Sequence, residues 1–259
     1  MKLTTRDAPS AEVRRNIRLT IAYDGTDFSG WQRQAKQRTV QGEIEKALEK
    51  LHKRHITLTG SGRTDSGVHA AGQTANFFTS IKNIEAENFV PALNCILSRD
   101  IRILRSEETN ESFNARYDAK SRTYRYYFVA GRAAFPWELR YAHQLWHTPD
   151  IKKLNALAAL LRGEFDCTVF APAGDKSVSR SRFIYGSAFF VEGDKLVFEI
   201  TANAFLWKMV RSIAGTLIRL EEENVSPAQF AQIIKSGDRS LVGPTSPPNG
   251  LFLWQTNYR

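Results

Sequence analysis

The sequence predicts an α/β (α+β) fold made of two similar halves packed around a shared cleft. Stretches of alternating apolar and polar residues, typical of strands, are separated by stretches with apolar residues at helical spacing, and this order recurs in both parts of the chain. With 259 residues, of which 42% are hydrophobic, the chain can bury a sizeable core. We expect an N-terminal half over residues 14–112 and a C-terminal half over residues 113–259, preceded by a mobile polar extension at residues 1–13.

The first half begins with apolar residues at every second position of residues 17–23, which is the pattern of a half-buried strand. Asp24 and Gly25 then form a predicted turn, and apolar residues at helical spacing predict a helix within residues 40–51. The remaining predicted elements are a strand, a short helix and a strand, at residues 68–78, 89–97 and 101–104.

The second half begins with a predicted strand around residues 124–128, in which aromatic side chains alternate between the two faces. A turn at residues 192–194 separates two apolar stretches, which predicts a hairpin. Residues 226–229 carry the pattern of a capping box with proline in the first turn of a helix. The other predicted elements are a helix, the two hairpin strands, a longer helix and a final strand, at residues 151–161, 183–191, 196–202, 205–220 and 251–254.

The net charge of +9 and a pI near 9.6 favour a polyanionic partner, and nucleic acid is the leading class. Basic residues cluster in two stretches, and aromatic residues lie within the second stretch, as base-stacking surfaces require. The alternative is that the charge serves solubility alone. The two clusters consist of Arg33, Lys36, Arg38, Lys46, Lys50, Lys53 and Arg54, and of Arg116, Lys120, Arg122, Arg125 and Arg132.

Several classes of protein are disfavoured by the composition. No apolar run is long enough to span a bilayer, and the first residues contain no apolar stretch that resembles a signal peptide. Cys95 and Cys167 lie far apart without the spacing of metal ligands around them. We therefore expect a cytoplasmic protein without disulfides or structural zinc.

Asp65 is the strongest candidate for chemistry, because it stands between Gly62 and Gly67 in a loop that leads into a predicted strand. Glycines permit backbone conformations that other residues resist, so they can let a carboxylate project into a cleft. Arg63, two positions before Asp65, can hold an anion. The alternative is an ordinary surface turn, because glycine, aspartate and serine are common turn residues.

Other motifs explain this segment less well. A phosphate-binding loop needs lysine and then serine or threonine after its last glycine, whereas Val68 follows Gly67. The glycine spacing also differs from that of a dinucleotide-binding fingerprint. Residues 65–67 match the triplet of aspartic proteases, but that chemistry needs two carboxylates and the triplet occurs once. A homodimer would have to supply the second copy.

Taken together and in this order, the motifs resemble the tRNA pseudouridine synthase A family. The resemblance extends over nearly the whole chain after the N-terminal extension, and the segment around Asp65 is its most specific part. Two departures stand at Trp207-Lys208 and at Asn249, and we expect neither to touch the proposed chemistry. The matching stretches are residues 23–32, 39–41, 62–70, 92–94, 113–116, 122–126, 209–211 and 248–251.

The resemblance implies two ferredoxin-like halves with mixed, mainly antiparallel sheets that flank a central basic cleft. It also implies an isomerase that converts uridine to pseudouridine in the anticodon stem-loop of tRNA, without a cofactor or a metal. Such a family acts as a homodimer that grips the anticodon arm across both subunits. The target nucleotide has to be flipped out of the RNA before C1′ of its ribose can be reached.

Five residues receive roles from this resemblance. Asp65 is the catalytic carboxylate, and Tyr124 is the platform on which the flipped base stacks. Arg63 engages the nucleotide or its phosphate, and Leu251 forms a wall of the uracil pocket. Arg211 lies among apolar neighbours, where a charge is costly unless it is paired, and an ion pair with Asp65 would resolve that cost.

Two other functions compete with the isomerase. One is a basic RNA-binding module without catalysis, in which Asp65 is a turn residue. A protease is the third hypothesis, and the basic character of the chain and the polar residues 62–64 before the triplet speak against it. His69 directly follows the loop, but a histidine at the start of a strand is more often structural.

Overall fold

The computed structural model of the protein describes residues 14–259. The extension predicted at residues 1–13 lies outside the described residues. Within residues 14–259, none of the helices is both long and apolar enough to cross a membrane.

The first half contains four strands and two α-helices; the short strand β2 was not predicted, and the other five elements follow the predicted order. Helix α1 starts after Thr39, whose hydroxyl oxygen accepts a hydrogen bond from the Gly42 N–H at 3.3 Å, and it ends at Lys53, which adopts a left-handed φ of 56°. The elements are β1 (Arg15–Tyr23), α1 (Val40–His52), β2 (Thr59–Gly60), β3 (His69–Thr79), α2 (Phe89–Ile96) and β4 (Ile101–Thr109).

The second half contains six strands and three helices. The capping box is confirmed: the Ser226 hydroxyl accepts from the Gln229 N–H, and the Gln229 side chain accepts from the Ser226 N–H. The elements are β5 (Ser121–Ala130), β6 (His143–Leu145), α3 (Ile151–Ala158), β7 (Gly163–Asp166), β8 (Ser181–Glu192), β9 (Lys195–Ala202), α4 (Met209–Glu222), α5 (Pro227–Ser236) and β10 (Leu251–Asn257).

Helix α4 begins later than its apolar pattern predicts. The pattern starts at Phe205, but Lys208 adopts a left-handed φ of 57°, which no α-helix continues. Residues 206–209 instead form a turn, in which the Met209 N–H donates to the Leu206 carbonyl oxygen at 3.1 Å, and Leu206 is only 4% exposed. The apolar spacing was misleading here because the turn packs on the same core as the helix.

All ten strands belong to one sheet, whose main path runs in the order β4-β1-β3-β10-β5-β9-β8-β7. Strand β2 pairs with β3, and β6 pairs with β5. The first half thus has the order β4-β1-β3-β2, and the second half has the equivalent order β10-β5-β9-β8. This is the split β-α-β arrangement of a ferredoxin-like unit, so the prediction of two similar halves with mainly antiparallel strands is confirmed.

The two halves meet where β3 runs parallel to β10. Only two residue pairs define this pairing, Phe252 with His69 and Leu253 with Ala70. Leu253 in turn lies opposite Tyr124 of β5. Residues that face each other across a sheet point to the same side, and Ala70, Leu253 and Tyr124 all belong to the buried core. The core of both halves therefore lies on one face of the sheet and is continuous across this junction.

Replacing Leu253 by alanine is expected to destabilise the protein by about 2–5 kcal/mol, because the side chain is 0% exposed at the junction and its loss leaves a cavity. The matched control is Leu104→Ala on β4, where the side chain is 55% exposed, with an expected effect within about 0.5 kcal/mol. Urea unfolding followed by circular dichroism measures both. Equal effects for the two variants would show that the junction is not tightly packed.

Candidate active site

The loop that carries Asp65 spans residues 61–68 and connects β2 to β3. Its backbone is held by the segment that follows β1. The Trp31 N–H donates to the Thr64 carbonyl oxygen at 3.1 Å, and the Gly67 N–H donates to the Phe28 carbonyl oxygen at 3.3 Å. The position of Asp65 is therefore defined by tertiary contacts rather than by the loop alone.

Two glycines make the close packing around this loop possible. Gly30 has a φ of 88°, and a Cβ atom there would stand 2.6 Å from the Thr64 carbonyl oxygen. Gly67 has a φ of 78°, and a Cβ atom there would stand 2.9 Å from Pro248 Cγ. The predicted need for glycine is thus met at Gly67, whereas Gly62 has neither a left-handed φ nor a close neighbour.

Arg211 of α4 forms the expected ion pair with Asp65. Its Nη1 donates to Asp65 Oδ2 at 3.1 Å, and its Nε donates to the Ser246 carbonyl oxygen at 2.8 Å. The Arg211 side chain is 13% exposed and that of Asp65 is 23% exposed, so the pair is only partly screened by solvent. The carboxylate from the first half is thereby joined to a helix of the second half.

Trp207 also binds Asp65. Its indole Nε1–H donates to Asp65 Oδ1 at 2.9 Å, so the two carboxylate oxygens have different partners. The expectation that Trp207 stays away from the proposed chemistry is therefore wrong. The other departure, Asn249, donates to the carbonyl oxygens of Leu139 and Ala142.

Tyr124 lies in the core beneath the loop and is 8% exposed. Its ring meets Phe205 edge to face, with 5.1 Å between the ring centroids. Burial raises the pKa of Tyr124, and the negative charge of Asp65 raises it further against the opposing effect of Arg122. The phenol is therefore protonated at neutral pH. Leu251, 5% exposed, stands at the start of β10 opposite Tyr126.

Arg63 and His69 flank Asp65 in the sequence, but their side chains form hydrogen bonds with other residues. Arg63 is exposed, and its Nε donates to the Gln32 side-chain oxygen at 3.1 Å. His69 is buried, and its Nδ1 accepts from the Gly25 N–H at 3.0 Å. Burial lowers the pKa of His69 more than the nearby carboxylate of Asp24 raises it. The structural role predicted for His69 is consistent with these contacts.

Comparison with known proteins identifies the group of enzymes that share these motifs. The model of the tRNA pseudouridine synthase family matches residues 19–118 and 157–259. The chain belongs to this family. The resemblance noted in the sequence is confirmed, and with it the class of enzyme, an isomerase that makes pseudouridine in tRNA.

Individual relatives agree with the family assignment. The chain is 54% identical over 253 residues to tRNA pseudouridine synthase A of Treponema denticola, with 96% of this chain and 94% of that protein covered. It is 49% identical over 235 residues to tRNA pseudouridine synthase A of Treponema pallidum strain Nichols, with 89% and 84% covered. A chain in the crystal structure of a Cbf5-Nop10-Gar1 complex matches at 11% identity and a TM-score of 0.34, with 91% of this chain and 57% of that chain covered.

Arginines of the second basic cluster are engaged within the synthase itself. Arg122 donates to the carbonyl oxygens of Ser61 and Asn203 at 2.8 and 2.9 Å, which ties the start of the Asp65 loop to the end of β9. Arg125 pairs with Glu199, and Arg132 pairs with Glu138. The number of basic residues in the second cluster therefore overstates the positive charge that is left to bind RNA.

Sequence reasoning missed Trp207, Arg122 and the contacts of Thr64 with Tyr23. The Tyr23 and Thr64 hydroxyls lie 2.7 Å apart in the core, and Thr64 directly precedes Asp65 in the chain. No periodic signal places Trp207 beside Asp65, because Trp207 lies in the turn before α4 and not on the helix that carries Arg211. Among residues 14–259, no group of three or more His, Cys, Asp and Glu side chains is placed to hold a metal.

Asp24 links the two halves of the synthase beside the active-site loop. Its carboxylate accepts from the Thr26 hydroxyl at 2.7 Å, from Arg140 Nε at 2.7 Å and from the Tyr141 hydroxyl at 2.9 Å. Partial burial opposes ionisation, but these hydrogen bonds outweigh it and lower the pKa of Asp24 from 3.8 to about 2. The ionised carboxylate is therefore stabilised by folding.

Because the pKa of Asp24 is lower in the folded than in the unfolded state, its contribution of about 2 kcal/mol is present above pH 4 to 5 and lost as the pH falls toward 2. Asp24→Asn should lower the free energy of unfolding at neutral pH and flatten its dependence on pH across this window. Urea unfolding at pH 2 to 6 measures the effect, with Glu87→Gln on the exposed surface as control. If the free energy of unfolding of Asp24→Asn depends on pH as steeply as that of the wild type, Asp24 is not the group responsible for this dependence.

Proposed function

We propose that this synthase isomerises uridine in the anticodon stem-loop of tRNA and that Asp65 is the carboxylate that acts on the flipped nucleotide. The observation that carries the proposal is the ion pair between Asp65 and Arg211, which joins the two halves above the β3–β10 junction. Burying a charged pair costs free energy unless other interactions compensate for it. In a member of this family, we take this cost as a sign that the two residues belong to the active site.

The reaction breaks the bond between C1′ of the ribose and N1 of uracil and forms a bond between C1′ and C5. C5 loses its proton and N1 gains one, so the composition of the RNA does not change. Breaking a glycosidic bond builds positive character on the sugar, and a carboxylate such as Asp65 can stabilise or attack it. One carboxylate is enough, because no water has to be activated and the detached base stays in the site.

The flipped base needs a surface that replaces the stacking lost in the RNA. Tyr124 is proposed to be this surface, because it lies close enough to Asp65 for the carboxylate charge to raise its pKa, and its ring packs edge to face against Phe205. Its hydroxyl is also proposed to act as a relay at C5, where the oxygen would accept the proton that C5 loses as the hydroxyl proton is passed on toward N1, which gains one. Leu251 is proposed to close the uracil pocket from the second half, where its side chain is 5% exposed.

Arg63 is proposed to bind the nucleotide or its phosphate at the outer edge of the site. Its exposure and its single hydrogen bond to the neutral amide of Gln32 support this role, since a planar guanidinium can exchange that amide for a phosphate. The homodimer that would hold the anticodon arm stays a prediction from the resemblance, and the boundaries at residues 14–112 and 113–259 stay predictions from the sequence pattern.

Asp65→Asn tests the catalytic carboxylate, because it removes the charge and preserves the shape, while the amide can accept only one of the two hydrogen bonds that Arg211 and Trp207 donate. We expect tritium release from tRNA labelled at uridine C5 to fall by about 10²- to 10⁴-fold, with tRNA affinity in a filter-binding assay nearly unchanged. The matched control is Asp238→Asn at an exposed helix cap, where asparagine serves as well as aspartate. Normal release by Asp65→Asn would refute the assignment, and tRNA binding without release by the wild type would favour the RNA-binding module.

Arg211→Lys tests whether the guanidinium is needed beyond its charge. Arg211 donates to Asp65 and to the Ser246 carbonyl oxygen through two different nitrogens, which a single ammonium group cannot reproduce. We expect the rate of tritium release to fall by about 10- to 100-fold with unchanged tRNA affinity. Arg219→Lys, on the same helix and paired with the exposed Glu223, is the control. Unchanged turnover in Arg211→Lys would show that Arg211 is merely structural.

A further inference from the structure

We infer that Trp207 is a positioning residue that fixes the orientation of the Asp65 carboxylate through its indole N–H. The inference rests on the proposed function of Asp65 and adds a residue to the site. Its basis is the hydrogen bond from Trp207 Nε1 to Asp65 Oδ1 at 2.9 Å, opposite the bond from Arg211 to Oδ2 at 3.1 Å.

The two donors restrain the carboxylate in different ways. Arg211 alone would hold one oxygen and leave the group able to rotate about its Cβ–Cγ bond. With Trp207 on the other oxygen, rotation breaks at least one hydrogen bond to a charged acceptor. The lone pairs that remain on Asp65 therefore point in fixed directions. Reactions of this kind are sensitive to such alignment, because small displacements of a reacting group reduce the rate strongly.

The structure holds Trp207 in place from outside the site. Its backbone N–H donates to Asp175 Oδ2 at 2.9 Å, and Asp175 Oδ1 accepts from the Ser177 N–H at 2.8 Å. Lys208 adopts its left-handed conformation directly after Trp207, and its Nζ lies 4.3 Å from the centroid of the indole ring. The indole is thus anchored by the loop around Asp175 and by the turn before α4.

An indole suits this role because it is a rigid, neutral donor that cannot accept a proton from the reaction. It orients the carboxylate without adding a second positive charge beside that of Arg211. The side chain is not buried, however, since Trp207 is 48% exposed at the edge of the site. The competing explanation is therefore that the ring stacks on an RNA base, and the experiment has to separate the two.

Three variants separate the contribution of the indole N–H from that of the ring. Trp207→Phe removes the N–H and replaces the bicyclic indole by a smaller, single ring. Replacing Trp207 by 3-benzothienylalanine preserves the bicyclic shape and exchanges only the N–H for sulfur. Trp146→Phe is the matched control, because Trp146 is 80% exposed and takes no part in the site. Single-turnover tritium release from labelled tRNA gives the rate, filter binding gives the Kd for tRNA, and thermal unfolding checks the fold.

We expect both replacements at position 207 to slow release by about 10- to 100-fold, the loss typical of one hydrogen bond to a charged group, with the Kd changed by less than about threefold. A benzothienyl variant as fast as the wild type would show that ring shape alone matters and would overturn the inference. A weakened Kd with an unchanged rate would overturn it in favour of stacking on RNA.

A second readout does not depend on activity. The protein has 5 tryptophans, and the ¹⁵N–¹H indole signal missing from the Trp207→Phe spectrum identifies Trp207. We expect Asp65→Ala to shift this signal and to speed its hydrogen exchange, while the Trp146 signal stays in place. An unmoved Trp207 signal would overturn the inference. A wild type that releases no tritium would refute the proposed function, whereas wild-type release together with an unimpaired Trp207→Phe would refute this inference alone.

Discussion

The short parallel pairing of β3 with β10 is the constraint on which the site depends. Strand β3 begins directly after the Asp65 loop, and β10 begins at Leu251 directly after a turn at Pro248–Gly250. Because two residue pairs align these strand starts, the loop of the first half meets the turn of the second, with Gly67 packed against Pro248. Arg211 reaches the same place through Ser246, whose carbonyl oxygen it binds. The site is thus a consequence of how the halves are joined.

The environment of Asp65 combines three kinds of group. Arg211 brings a positive charge, Trp207 brings a neutral donor, and Tyr124 brings a buried aromatic surface with a protonated hydroxyl. Each interaction gains strength from partial exclusion of water, where charges are less screened than at an open surface. Only one ionised carboxylate has to be accommodated, which suits an isomerisation that exchanges one bond for another and activates no water.

The two halves share one topology but differ in the connection that carries Asp65 in the first half. In the equivalent orders β4-β1-β3-β2 and β10-β5-β9-β8, the connection from β2 to β3 corresponds to the connection from β8 to β9. In the second half this is a tight hairpin turn at Gly193, which has a φ of 63°. In the first half it is the longer loop at residues 61–68, which is long enough to carry Asp65 away from the strands. The proposed role of Asp65 thus assigns the chemistry to a loop on a shared scaffold.

By itself the sequence determined most of the elements, without the short strands β2, β6 and β7, and much of the site. Alternation in β1, the capping box of α5 and the hairpin turn all follow from local periodicity and turn chemistry. The family resemblance, together with the cost of a charge among apolar neighbours, predicted that Arg211 pairs with Asp65. Only the tertiary structure decided that both halves share one sheet and that Trp207, 142 residues from Asp65 in the chain, binds it. The physical reason is that a local pattern records which face of an element is buried. The partner of a side chain depends instead on strand register and on a left-handed turn such as that at Lys208, and neither has a local periodic signature.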